Sequence, residues 1–437
     1  MPKSANLMRR LSQSSVARAV AMMAGAAGIG QLAILAALPL LTRLYDPAAF
    51  GLHALILAFV GVASVGACLC LDLAIVQART ASRADELCAA AIASAAVTAL
   101  LSAITMSILV GTGLFGFGAL PWWSSLMVAA MVGLNGAYIA CRYRHLREQH
   151  YPVLARATLA QSAGRAFAPL VWFLVLPIWA GLSLGELSGR VLGVRGLLLP
   201  LLGTVRKQRA GTSPRVWWQV VRRERSYTLM LLATVLVDAC ASLLIAPLLA
   251  GAYGISVVGE YFLVATLLAA PSALVGAATA DVLHTRSAQL LHEAPERLAA
   301  FLHRTALLLF VAACAIYLPV YFLSPLVFPA LFGPKWKLIV PIAQAMTPFM
   351  IVAFVASPCS RLLLVVNRTG LKIISDAVRL VGTPCMIAVA SSLHLSFLSA
   401  MWVLAWFLAA AYGLYLALTL LAVRWATSTI SARSSAI

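Results

Sequence analysis

The chain has 437 residues, of which 62% are hydrophobic and only 10% charged, and it carries a formal net charge of +19. That composition excludes a soluble globular domain. Apolar runs long enough to cross a bilayer as helices recur from end to end, and backbone in hydrocarbon must satisfy its own hydrogen bonds. The expected fold is therefore an all-α integral membrane protein with about twelve transmembrane helices. The eight cysteines lie in or beside apolar runs without metal-ligand spacing, so they read as small buried residues.

In chain order the predicted spans are 17–42, 50–77, 86–111, 121–142, 156–177, 181–204, 226–250, 259–284, 304–323, 338–363, 371–391 and 397–424. The basic N-terminus followed by an apolar run resembles a signal peptide, but the run is too long and lacks a cleavage site, so it reads as the first span. With the connecting segments assigned alternately to the two faces, 25 of the 32 Lys and Arg fall on one face, 3 on the other and 4 within spans. The positive-inside rule then places both termini in the cytoplasm. The basic balance reflects topology and anionic lipid, and needs no nucleic acid.

The stretch Ala33–Ser64 has a gap-free copy 208 residues later, beginning at Ala241, with nine of 32 positions identical. The shared cluster Pro-Leu-Leu-x3-Tyr-x5-Gly is Pro39, Leu40, Leu41, Tyr45 and Gly51 in one copy. In the other it is Pro247, Leu248, Leu249, Tyr253 and Gly259. Each copy reads as apolar helix, short polar turn, apolar helix. The offset covers six spans, so both copies cross the membrane in the same direction. Two six-helix bundles related by a parallel internal repeat follow, at 1–204 and 226–437. Between them, 205–225 is a basic linker in which Trp217 and Trp218 are interleaved with arginines. It reads either as an interfacial amphipathic helix or as an ordinary linker.

Charges inside a span cost about 2.5–3.5 kcal/mol each on the insertion scale, which makes them the functional candidates. Arg165 lies mid-span, facing a cavity or held in an ion pair. Glu186 and Arg190 stand four apart on one helix face and can pair. The same helix carries Arg195 and the small-residue face Gly185, Gly189, Gly193. Asp238 lies mid-span in the seventh helix and must either pair with an arginine, as a gate, or titrate, as a proton site. Asp72 and Asp376 lie nearer the cytoplasmic ends of their spans, and Asp376 can pair locally with Arg379. Gln31 and Asn135 are uncharged candidates for hydrogen bonds to sugar or to a neighbouring helix. The expected cavity set is thus Arg165, Arg190, Arg195, Arg379, Gln31 and Asn135, and the gating or coupling set Asp238, Glu186, Asp72 and Asp376.

The Gly111–Gly116 stretch matches a dinucleotide fingerprint by letters only, because it follows a membrane helix rather than a strand. His284, His292 and His303 lack ligand spacing. No catalytic residue, metal ligand or cofactor motif is expected.

Five segments together resemble the Wzx-type oligosaccharide flippases. LTRLYDPAAFGLHAL (41–55) is similar to their first outside turn and LDLAIVQAR (71–79) to the end of their second helix. VGEYFLVATLLAAPSALVG (258–276) is similar to the entry of their eighth helix. LFGPKWKLIVPIAQAMTPF (331–349) and SPCSRLLLVVNR (357–368) are similar to their tenth-helix region. Asp238 matches an acidic position in their seventh helix, whereas His53 and Glu260 stand where apolar or small residues are commoner. The family belongs to the multidrug/oligosaccharidyl-lipid/polysaccharide (MOP) superfamily.

The resemblance implies two bundles around a central cavity. It also implies movement of a polyprenyl-diphosphate-linked oligosaccharide, an O-antigen or exopolysaccharide unit, to the outer leaflet of a bacterial inner membrane by alternating access. No cofactor is expected, and the polysaccharide polymerase and export machinery are the expected partners. The membrane potential acting on an anionic head group, together with Asp238, points to coupling to that potential or to a proton or sodium gradient. The physical reading agrees, since arginines shielded from water bind phosphate oxygens by charge-assisted bonds. The rival readings are a drug/cation antiporter of the same superfamily, a polysaccharide polymerase and a scaffold. Outside loops too short to carry a catalytic site disfavour the polymerase, and charges buried at mid-depth disfavour the scaffold.

Overall fold

The computed structural model describes residues 2–176, 179–205, 214–293, 295–360, 362–366 and 368–434, and among them there is no strand. The helices are α1 (Pro2–Leu44), α2 (Pro47–Val65), α3 (Leu71–Gln77), α4 (Ala81–Thr112), α5 (Ser124–Arg147), α6 (Tyr151–Val175), α7 (Ala180–Val205) and α8 (Pro214–Leu243). They continue with α9 (Ile245–Tyr253), α10 (Ile255–Glu293), α11 (Pro295–Phe332), α12 (Ile339–Cys359), α13 (Leu362–Val365), α14 (Thr369–Ser392) and α15 (Phe397–Ser434). A 3-10 turn, Leu114–Ala119, joins α4 to α5.

Among the described residues ten segments are long and apolar enough to cross a membrane, against the twelve expected. The difference lies in α6 and α7. At 25 and 26 residues they have the length, but Gln161 and Arg165 on one and Glu186, Arg190 and Arg195 on the other lower their hydropathy. The chain is a multi-pass membrane protein, and large apolar side chains are bare where lipid would cover them, Phe322 and Leu326 on α11 being over two-thirds exposed.

Local chemistry sets the helix ends. Asp46 accepts from Ala49 N at 2.8 Å, and Pro47 takes the first helical position of α2, where a missing N–H leaves nothing unbonded. Thr80 caps α4 in the same way, accepting from Arg83 N at 3.2 Å. Gly113 closes α4 at φ +69°, a left-handed conformation that glycine adopts without strain. Glu260, on α10, accepts from Leu338 N and so caps α12 from another helix. This gives the unexpected carboxylate a structural role.

The chain forms two compact units. The first comprises 1–44, 59–113 and 118–236, and the second 45–58, 114–117 and 237–437. In the first unit α6 packs on α7 through the glycine face. A Cβ on Gly185 would lie 2.3 Å from the Pro169 ring, one on Gly189 2.7 Å from Gln161 O, and one on Gly193 3.0 Å from Gln161 Cβ. Residues 214–225 form the beginning of α8 rather than a separate helix. There Trp217 donates from Nε1 to Ser94 Oγ at 2.9 Å while Trp218 is exposed. The rest of the expected linker, 206–213, lies outside the described residues.

In the second unit the sequence repeat becomes a contact. A Cβ on Gly51 would lie 2.0 Å from Ile255 O, and one on Gly259 would lie 1.7 Å from Pro47 O. The offset of 208 that relates Gly51 to Gly259 also relates Pro47 to Ile255. Each copy's glycine thus receives the backbone of the other copy's helix start, the reciprocity of a two-fold contact. This crossing draws 45–58 into the second unit, so the contact units do not follow the repeat halves 1–204 and 226–437 there.

Candidate functional site

Two charge clusters are built where the spans carry their ionisable residues, one in each unit. In the first, Glu186 on α7 receives two guanidinium groups on separate oxygens. Arg165 Nε, from α6, donates to Oε2 at 2.6 Å, and Arg190 Nε donates to Oε1 at 3.1 Å. The helical spacing of four brings Arg190 to Glu186. The glycine face brings Arg165, because a Cβ on Gly189 would stand 2.5 Å from Arg165 Cγ. The ion-pair alternative for Arg165 is therefore realised, and the residue still has 38% of its side chain exposed, against 6% for Glu186 and 12% for Arg190. Among the described residues the group sets two guanidinium groups against one carboxylate, and its most accessible member is an arginine. A short bond from Trp172 Nε1 to Ser188 Oγ, at 3.0 Å, ties the same two helices together.

In the second unit Arg379 on α14 is the hub. Its Nη2 donates to Asp238 Oδ1 and to Asp376 Oδ1, both at 2.6 Å, and its Nη1 donates to Tyr412 OH at 2.6 Å. Lys372 Nζ donates to the other oxygen of Asp376 at 2.7 Å. Two acids and two bases balance. Asp376 is 1% exposed and bonded on both oxygens, whereas Asp238, from α8, is 49% exposed. The Arg379 Nε–H is buried without a hydrogen-bond partner among the described residues. Arg379 thus holds Asp376 and Tyr412 in addition to the half-exposed Asp238.

The remaining candidates stay apart from these clusters. Asp72 on α3 lines a cavity of about 270 Å³ in the first unit with Ser64, Cys68, Cys70 and Tyr143, and the buried Ser64 hydroxyl has no hydrogen-bond partner among the described residues. Arg195 is exposed, and Gln31 and Asn135 are half-buried; none of the three has a hydrogen bond or ion pair among the described residues. Lys372 and Arg144 are not among the candidates read from the sequence. Lys372 is a member of the second cluster, which its spacing of four from Asp376 signals. Arg144 is 3% exposed and bound to Asp85 through Nε at 2.6 Å. Tyr412 and the Asp238–Arg379 pairing, 141 residues apart, have no local signal.

The sequence profile of the family described as polysaccharide biosynthesis protein matches residues 40–341, well over half of the chain. The chain belongs to that family. The matched region contains the first cluster, residues 40–64 of the first repeat copy, the whole of the second copy and Asp238; it ends before α14. No curated protein matches this member of the polysaccharide biosynthesis family in sequence.

Its fold is similar to that of several solved transporters. The inward-facing structure of a multidrug resistance MATE family transporter of the MOP superfamily aligns with a TM-score of 0.67 at 14% identity, covering 94% of this chain and 95% of that one. The Vibrio cholerae MATE transporter VcmN aligns at 0.59 and 15% identity, covering 96% and 98%. An outward-facing multidrug resistance MATE transporter aligns at 0.55 and 14% identity, covering 94% and 96%. At such identities the likeness shows the fold alone, a two-lobed helical transporter architecture.

Proposed function

We propose that this protein is a flippase that carries a polyprenyl-diphosphate-linked oligosaccharide across a bacterial inner membrane by alternating access, without enzymatic chemistry. The observation that carries this reading is the pair of described arginines gathered on Glu186 in a member of a polysaccharide biosynthesis family. A diphosphate head group cannot enter hydrocarbon unaided, and a half-shielded guanidinium offers charge-assisted, bidentate bonds to its oxygens. Arg165 is the first contact, because Glu186 holds it in place while leaving over a third of the side chain open. Arg190 sets the field behind it. Arg195, Gln31 and Asn135 retain free polar groups for phosphate or sugar.

The second cluster supplies the gate. Asp238 competes with substrate phosphate for Arg379, and opening that pair exposes a cation for the anion and an acid for a proton or sodium ion. The likeness to multidrug transporters concerns the fold, so it does not transfer a drug substrate.

The test is Arg165→Ala in cells lacking the native gene. Lipid-linked glycan should accumulate on the cytoplasmic side while the variant inserts at normal abundance. Arg165→Lys should restore part of the transport, since lysine keeps the charge and loses the planar fork. Normal export by a well-expressed Arg165→Ala protein would remove the proposal.

A further inference from the structure

The turn between α5 and α6 holds a cluster that neither the transport reading nor the sequence motifs use. His145, Glu148 and His150 each present one donor atom, and the three atoms lie within 4.8 Å of one another. We propose that this turn is a four-coordinate divalent metal site of the Zn2+ class, with His145 Nδ1, His150 Nδ1 and a Glu148 oxygen as protein ligands and water in the fourth position.

Distances argue first. Two donors about 2.05 Å from a tetrahedral ion stand about 3.3 Å apart. His145 Nδ1 is 3.4 Å from His150 Nδ1, and His150 Nδ1 is 3.4 Å from Glu148 Oε2. Both separations match the edge of a tetrahedron, and the third, between His145 and Glu148, is at most 4.8 Å, so an ion would draw these two ligands together.

Tautomer and charge argue next. His145 is buried, and its Nε2 lies 2.9 Å from Leu197 O on α7. A carbonyl only accepts, so Nε2 carries the proton and Nδ1 presents its lone pair to the site. A backbone carbonyl behind a ligating imidazole is the arrangement that fixes ring orientation at metal centres. Around the site, Arg144 pairs with Glu148 Oε1 at 2.6 Å and with Asp85 at 2.6 Å. Arg144 thereby occupies only Oε1 of Glu148, and Oε2 is left turned to His150.

The backbone is bent to make the turn. Gln149 sits at φ +58°, the left-handed region that favours glycine, and so places Glu148 and His150 on the same side. His150 N donates to His145 O at 3.1 Å, closing the loop. Two imidazoles and a carboxylate suit Zn2+ among the abundant divalent ions. The bound ion would pin the α5–α6 turn to α7, the helix that carries Glu186 and Arg190. The competing arrangement is a metal-free pair in which one proton sits between the two imidazoles.

The full chain in detergent, freed of any affinity tag and stripped with a chelator, is titrated with Co2+ and followed by visible absorption, then challenged with Zn2+. One Co2+ per chain should bind with the intense spectrum of a four-coordinate ion and be displaced by Zn2+. His150 is half-exposed, so His150→Ala should fold normally and bind about 100-fold more weakly. Chelation should lower the Tm of the parent protein and leave that of His150→Ala unchanged. Absence of saturable Co2+ binding by the parent, or binding altered less than tenfold in His150→Ala, overturns the site and leaves the proton-sharing pair.

Discussion

Asp376 and Asp238 contact the same Arg379, yet their removal should have different consequences, because burial differs. Asp376 is closed off from solvent and neutralises two cations. Asp376→Ala leaves Lys372 without its carboxylate and Arg379 with Asp238 and Tyr412 alone, and should destabilise the protein by about 3–5 kcal/mol, seen as a lowered melting temperature in detergent. Asp238 is half-exposed and leaves Arg379 with two other partners. Asp238→Asn should therefore change stability by less than about 1 kcal/mol while stopping transport or shifting its pH dependence. Unchanged transport with an unchanged pH profile would reduce Asp238 to a packing residue. The individual charges, and the pairs four or three apart, were legible in the sequence because helix geometry alone brings them together. Which arginine Asp238 meets was not, because that partner comes from a helix 141 residues away.

Among the elements, the crossing of α2 and α10 is the most constrained. A methyl group on Gly51 or Gly259 would collide with backbone, which cannot swing aside as a side chain can. Gly51→Ala and Gly259→Ala should each destabilise by about 1–3 kcal/mol. The two sites share one contact, so the double variant should fall short of the sum in a cycle of thermal or denaturant unfolding. Additivity would mean that the reciprocal contact is not a single structural unit. Glu260→Gln is the milder change at the neighbouring end of α10. It keeps an acceptor for Leu338 N but removes the charge at the N-terminus of α12, and a loss of about 0.5–1 kcal/mol is expected. The repeat and the α6–α7 glycine face could be read from letter spacing. The break at Leu244 that separates α8 from α9 could not, since the apolar pattern runs straight through it.

For the whole molecule, the proposed cargo is anionic, so its export should sense the membrane potential. Moving one negative charge out of a cytoplasm held 100 mV negative releases about 2.3 kcal/mol. In proteoliposomes, flipping of a fluorescent lipid-linked glycan should accelerate when the potential is imposed with the compartment opposite the cytoplasmic face positive. A rate indifferent to both potential and ion gradients would remove electrical and ionic coupling together.

Composition and periodicity alone determined that this chain lives in a membrane as helices, that it carries a repeat 208 residues apart and that a few charges lie within its helical spans. Those properties follow from transfer free energies and from the 3.6-residue turn, both local along the chain. Only the tertiary structure decided that Glu186 holds two arginines, that Arg379 joins α14 to α8, that repeat-related glycines meet each other, and that two histidines and a glutamate converge at a turn. Each of these depends on which distant helix faces are brought together or on how a turn is bent, and neither appears in hydropathy.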